Sequence, residues 1–228
     1  MYGDTMILMV GNVANPNTFQ KFCETDVDYV RIGIGNGGGC LTTVQTGIGY
    51  PMASLITECH KKRSNLNESI NLSLFFDKKL EKKRIKTKIV ADGGFKKYSD
   101  IIKALALGAD YVMLGSIFNK ALESAGETIR HTPELTVGQV VDQYSQEARD
   151  MFEAEIILRK LFRGMSTKEV QKKWGKDDLV TSEGIVKSHK VEYTLSGWRK
   201  NFEDYLRSAM SYTGKKDSTN LLVEFNMK

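Results

Sequence analysis

Cys40 lies in the stretch GNGGGCLTTVQTGIGYP, residues 35–51, directly behind Gly37, Gly38 and Gly39 and two residues ahead of Thr42. A cysteine thiolate is a nucleophile able to form a covalent intermediate. Taken alone, a cysteine is more often a small buried hydrophobe. Here the flanking glycines let backbone N–H groups come close to an anion or a ring, and such dipoles would favour the thiolate. Cys40 is therefore the candidate nucleophile. Thr42 and Thr43 bring hydroxyls beside it, although threonines there could equally serve turn chemistry. A second chemical cluster is ADGG at 91–94. As a site it offers Asp92 for a diol and the N–H groups of Gly93 and Gly94 for a phosphate; as plain structure it is a tight turn. Gly115 and Ser116 close the next apolar run and read as a phosphate cradle. Gly33, Gly35 and Gly38 satisfy G-x-G-x-x-G, but that fingerprint must open a helix, and the Cys40–Pro51 run of threonines, glycines and proline predicts a delay before any helix. A dinucleotide site of that kind is rejected. His60, His131 and His189 lack metal-ligand spacing.

The elements that must position these residues show an internal repeat. MILMVGNVANPNTFQKFCETDVDYVRIG and TKIVADGGFKKYSDIIKALALGADYVMLG align at an offset of 82, matching Gly11 with Gly93, Asp28 with Asp110 and Gly33 with Gly115. Each copy reads as apolar strand, glycine turn, helix, short turn and second apolar strand. Ser99 is the expected N-cap of the second helix. Continuous apolar strands suit a parallel sheet covered on both faces, and strand–helix–strand units in series predict α/β architecture. Every glycine-rich segment follows a strand, which favours a (β/α)8 barrel, where chemistry gathers at strand C-terminal ends. The chain offers four such strands, half a barrel.

The remainder reads differently. Residues 134–162 are expected to be a largely helical insertion, 163–198 to hold a polar flap, 199–214 to form a final helix, and the tail to fray. The whole is expected to be one partial barrel domain, its half-barrel spanning 5–125. Hydrophobic residues make up 41% of the 228, enough for a real core. No apolar run approaches the roughly 18 residues of a membrane span, so no membrane partner is expected. MYGDTMILMVGN carries no secretory signal, and three cysteines without framework spacing point to a reducing, cytoplasmic setting. The net charge of +5 resides partly in HKKR at 60–63 and the lysine-rich 78–88. Without interleaved aromatics these runs read as solvated faces, not a nucleic-acid platform.

Taken in order, GIGNGGGC, TGIGYP, ADGG, ALALGADYVMLGS, RGMS, SEGI and RSAMSY resemble the IMP dehydrogenase/GMP reductase family. The resemblance covers roughly residues 5–125, 160–185 and 198–214. It implies a (β/α)8 barrel, usually a tetramer, with four further strands before MILMVGN. This chain would then be the second half of that barrel, paired with itself or with a complementary N-terminal half. By resemblance Cys40 attacks C2 of a purine nucleotide, and Thr42 with Glu183 handles the proton of departing ammonia. The substrate GMP would be held by Asp92, Gly93, Gly94, Gly115, Ser116, Gly164, Met165, Ser166, Ser182 and Gly184. Met165, Ser208, Ala209, Met210 and Ser211 would meet NADPH, and backbone oxygens of Gly35, Gly37 and Cys40 a potassium ion. The dehydrogenase branch carries an Arg-Tyr pair in a longer flap; none lies between RGMS and SEGI, and TGIGYP is similar to the reductases. A GMP reductase is therefore expected, with a catalytically incomplete nucleotide-binding half and an IMP dehydrogenase as the alternatives.

Overall fold

The computed structural model describes residues 6–25, 27–76, 85–131, 138–163, 167–175 and 186–216. The repeat becomes two matching strand–helix–strand units. The first comprises β1 (Met9–Val13), α1 (Pro16–Cys23) and β2 (Tyr29–Ile32); the second comprises β3 (Lys88–Asp92), α4 (Tyr98–Ala106) and β4 (Tyr111–Met113). Between them run a short helix α2 (Thr42–Thr46) and the long α3 (Met52–Phe76). All four strands pair in parallel, in the order β1-β2-β3-β4.

The local reasons are plain in the sequence. Asn15 caps α1 by accepting the Asn17 N–H at 2.8 Å, and Pro16 stands at the first helical position, where its missing N–H costs nothing. The aspartates matched by the repeat do one job twice. Asp28 Oδ2 accepts the Leu8 N–H at 2.8 Å, and Asp110 Oδ2 accepts the Ile89 N–H at 2.8 Å. The Asp28 and Asp110 N–H groups donate back to the carbonyls of Leu8 and Ile89. Each carboxylate thus clamps one strand to the turn before the next. Arg63 of α3 closes on Asp110 at 2.5 Å, so one member of the basic run is a structural ion pair.

The main core lies between the sheet and α1, α3 and α4. It contains Phe19, Val30, Ile32, Leu55, Ile56, Ile89 and Ile101, all buried, each worth about 1.5–3 kcal/mol relative to exposure. Coverage of the sheet is less even than its apolar strands suggested. β2 and β3 are the more buried strands, but β1 and β4 are its margins, with Met9 47% and Tyr111 51% exposed. The sheet is open among the described residues; the structure gives an α/β fold with a parallel sheet.

Three expectations need correction. In the segment 134–162, the described residues 138–162 are not largely helical. Helix α5 covers only Gln146–Glu153, flanked by β6 (Gln139–Val141) and β7 (Leu158–Arg163). With β5 (Thr128–Arg130) and β8 (Val186–Lys190) these form a second, antiparallel sheet in the order β6-β5-β7-β8. The β-branched Thr128, Ile129, Val140 and Val141 decide the matter, since their stiff side chains suit a pleated surface better than a helix. Secondly, Ser99 lies inside α4 and Lys97 occupies the cap; Asp100 does the capping work, accepting the N–H groups of Lys96 and Lys97 at 3.0 and 3.1 Å. Thirdly, no long delay follows Cys40, because α2 opens at Thr42.

Within the second sheet Lys160 of β7 is 0% exposed. Its Nζ donates to the Ser124 and Gly126 carbonyls at 2.7 and 3.1 Å. Burial pulls its pKa down to about 8, and Glu123 opposes this only in part. The helix α6 (Lys168–Lys173) occupies part of the expected flap, and α7 (Leu195–Tyr212) is the expected final helix, begun four residues early. Trp198 of α7 packs edge-on against Phe118 at 4.7 Å and stacks with Phe202 at 5.4 Å. No helix among the described residues is long and apolar enough to cross a membrane.

Candidate active site

The C-terminal ends of β1, β2, β3 and β4 open onto one cleft of about 570 Å³. It is lined by the 33–40 glycine loop with Cys40 and Thr42, by Asp92, Gly93 and Gly94, and by Gly115 and Ser116. Residues far apart in sequence thus meet as the repeat predicted: parallel strands in register place all their C-terminal turns on one edge.

The loop that carries Cys40 is shaped by two close approaches. Gly35 has φ +76°, and a Cβ there would overlap the Thr43 hydroxyl. Gly93 has φ +92°, and a Cβ there would stand 2.7 Å from the Gly37 nitrogen. The β3 turn and the cysteine loop therefore touch backbone to backbone, which only glycine permits. The two threonines divide the roles the sequence left open. Thr43 Oγ1 donates to the Ile48 carbonyl at 2.8 Å and ties the loop. Thr42 Oγ1 stands 3.0 Å from Cys40 Sγ, close enough for a proton to pass between them.

Cys40 is partly exposed, unlike the buried Cys23 and Cys59. Burial pushes the Cys23 thiol up to about 11 and the Cys59 thiol up to about 12. Those two are held as neutral core residues.

Asp92 is fixed from one side. Its Oδ2 accepts from Asn12 Nδ2 at 2.7 Å, Arg31 Nε at 3.0 Å and Arg31 Nη2 at 2.9 Å. Charge-assisted bonds of this kind hold a carboxylate firmly. Because all three donors converge on Oδ2, Oδ1 is the oxygen left to meet a ligand in the cleft. Asn12 and Arg31 were not among the residues singled out in the sequence. Arg31 did leave a signal, a charge in the otherwise apolar strand YVRI; Asn12 followed Gly11 at a strand end. Phe162, from β7, also lines the cleft and was missed because its segment was read as helix.

Not every expected residue arrives here. Ser208 and Ala209 lie on α7, beside a groove shared with Tyr98 and Ile102 of α4, and with Met210 and Ser211 they are not part of the cleft lining. Gly164, Met165, Ser166, Ser182, Glu183 and Gly184 lie outside the described residues. Among the described residues no group of three His, Cys, Asp or Glu could hold a metal ion.

Comparison with known proteins fits this geometry. The IMP dehydrogenase / GMP reductase domain model matches residues 2–227. A GMP reductase of Caenorhabditis elegans is 27% identical over 211 residues, covering 92% of this chain and 47% of that protein. A GMP reductase of Phytophthora infestans is 29% identical over 211 residues, 91% of this chain and 46% of that protein. An inosine-5'-monophosphate dehydrogenase of Chlorobaculum parvum is 40% identical over 122 residues, 54% of this chain and 21% of that protein. The chain spans less than half the length of these curated relatives.

Proposed function

We propose a function from this premise: the chain belongs to the IMP dehydrogenase / GMP reductase family. The reading is an oxidoreductase acting on guanine and inosine nucleotides, and within it a GMP reductase, GMP + NADPH + H⁺ → IMP + NH₃ + NADP⁺. The observation that carries it is the placement of Cys40 Sγ 3.0 Å from Thr42 Oγ1, in one cleft with an Asp92 held by Arg31. Two relatives aligned over nine-tenths of this chain are GMP reductases, and no Arg-Tyr pair lies between RGMS and SEGI.

In this reading Asp92 Oδ1 accepts from the ribose diol, while Ser116 and the N–H groups of Gly93 and Gly94 meet the phosphate. That leaves the purine over the glycine loop. Cys40 Sγ adds to C2 as a nucleophile. The Thr42 hydroxyl, with Glu183, conducts the proton that lets the C2 amino group leave as ammonia. NADPH, when bound, supplies the hydride that takes the amino group's place, and departure of the thiolate frees IMP. Of the expected cofactor residues, Met165 lies outside the described residues, while Ser208 and Ala209 line a separate groove; in this reading those two reach a cofactor beside Cys40 from another copy. For potassium the fit is better, because backbone oxygens suit a hard cation. The Gly37 carbonyl already accepts the Cys40 N–H at 3.0 Å, leaving it one lone pair, and Gly35 and Cys40 would add theirs.

A second reading has its own support. Met6, Ile7, Leu8 and Met9 leave the β1 margin apolar and exposed, as expected of half a barrel that binds the nucleotide and awaits a second copy or a complementary half. Incubating the chain with GMP and NADPH separates the two. The reductase reading predicts IMP and ammonia in equal amounts, and none from Cys40→Ala. Binding of GMP without turnover would select the incomplete half, and oxidation of IMP with NAD⁺ would select the dehydrogenase.

A further inference from the structure

One cation at the cleft rim belongs to none of the roles above. Lys187, on β8, is exposed, and its Nζ donates to the Gly38 carbonyl at 3.3 Å. Its cross-strand partner on β7 is Phe162, whose side chain lines the cleft. Paired residues share one face of a sheet, so the second sheet presents Lys187 to the mouth of the cleft, over the glycine loop. Ser116 also lies beside Gly38: a Cβ built on Gly38 would stand 3.1 Å from the Ser116 hydroxyl. Gly115 has open space where a Cβ would be. A hydroxyl and an ammonium therefore both stand beside one residue of the loop. A neutral carbonyl leaves the charge on Lys187 intact, whereas Arg31, which also lines the cleft, is committed to Asp92.

We propose that Lys187 is a phosphate-recognising residue, which closes over the 5'-phosphate of a nucleoside monophosphate seated at Ser116 and makes the cleft select nucleotides over nucleosides. The inference rests on the nucleotide reading above and adds to it the residue that supplies the charge. A lysine suits this position because its ammonium sits on a flexible four-carbon stem and can move from the Gly38 carbonyl to a phosphate oxygen without disturbing the strand. The resulting bond is charge-assisted but at an exposed rim, which sets its effect at roughly tenfold.

The test is calorimetric titration of the full chain, wild type, Lys187→Ala and Lys187→Arg, with GMP and with guanosine. The proposal predicts that Lys187→Ala weakens GMP about tenfold, leaves guanosine unchanged, and that Lys187→Arg restores most of the loss. An unchanged GMP affinity in Lys187→Ala would overturn the proposal and leave the nucleotide reading standing. Equal loss for GMP and guanosine would also overturn it, showing a brace of the glycine loop. A wild-type chain that binds neither ligand would overturn the nucleotide reading itself, and this inference with it.

Discussion

Burial separates the three thiols of this chain. Cys23 and Cys59 are enclosed by the core, and loss of hydration raises both well above the usual thiol range, to about 11 and 12. Cys40 stands partly exposed in a cleft, 3.0 Å from a hydroxyl. Since the thiolate is the reactive form and needs access, iodoacetamide at pH 8 should modify Cys40 alone in the folded chain, and Cys23 and Cys59 only after denaturation. Peptide mass mapping reads this directly; comparable labelling of Cys23 in the native state would mean the core is not as described. At this scale the sequence was informative where chemistry needs glycine beside a reactive group, as at Cys40 and at Asp92. It was uninformative where a site residue hides inside an element. Arg31 and Asn12 sit on the strands themselves, and only the folded register reveals that both point their donors at Asp92 Oδ2.

The site is assembled by turns at strand ends, and one tight junction between them is Gly93 against Gly37. A methyl at Gly93 meets both a positive φ of +92° and the Gly37 nitrogen. Left-handed strain of about 1–2 kcal/mol and a backbone clash of about 1–3 kcal/mol act together there. Gly93→Ala should lower stability by about 2–5 kcal/mol in thermal unfolding. It should also cut kcat/KM by roughly a hundredfold, because small displacements of a positioned nucleophile are costly. The parallel half of the fold was legible because the repeat supplies the same glycine, aspartate and apolar strand twice. The antiparallel half was not: its strands are short, they alternate imperfectly, and β7 buries a lysine where a hydrophobe would announce a strand. That lysine gives the second sheet a pH signature. Lys160 is pulled down to about 8 when folded, against about 10.4 for a free lysine, so between these values the unfolded chain holds more protons. Stability must then rise with pH across roughly 8 to 10.5, by up to about 3 kcal/mol. The raised thiols act oppositely above pH 9, so the measurement is a difference. Chemical unfolding of wild type minus Lys160→Met should climb through that window; a flat difference would mean the ammonium is not desolvated.

For the whole molecule, the parallel sheet is open along β1 and β4, and the second sheet reaches back over the cleft through Phe162 and Lys187. Half of the architecture implied by the family lies outside what the described strands form, while Cys40, the carboxylate proposed for the diol and the turn proposed for the phosphate line one cleft of this chain. That arrangement makes the nucleophile testable without knowing what covers the open margins. The proposed covalent step needs Cys40 and the proposed nucleotide site, whose described residues stand at the strand ends of this chain. The most direct measurement is intact-mass and peptide mass spectrometry of the chain quenched in acid during incubation with GMP and NADPH. The account predicts a purine-nucleotide adduct that maps to Cys40 and disappears in Cys40→Ala. Turnover without an adduct on Cys40, or an adduct on Cys23 or Cys59, would contradict it.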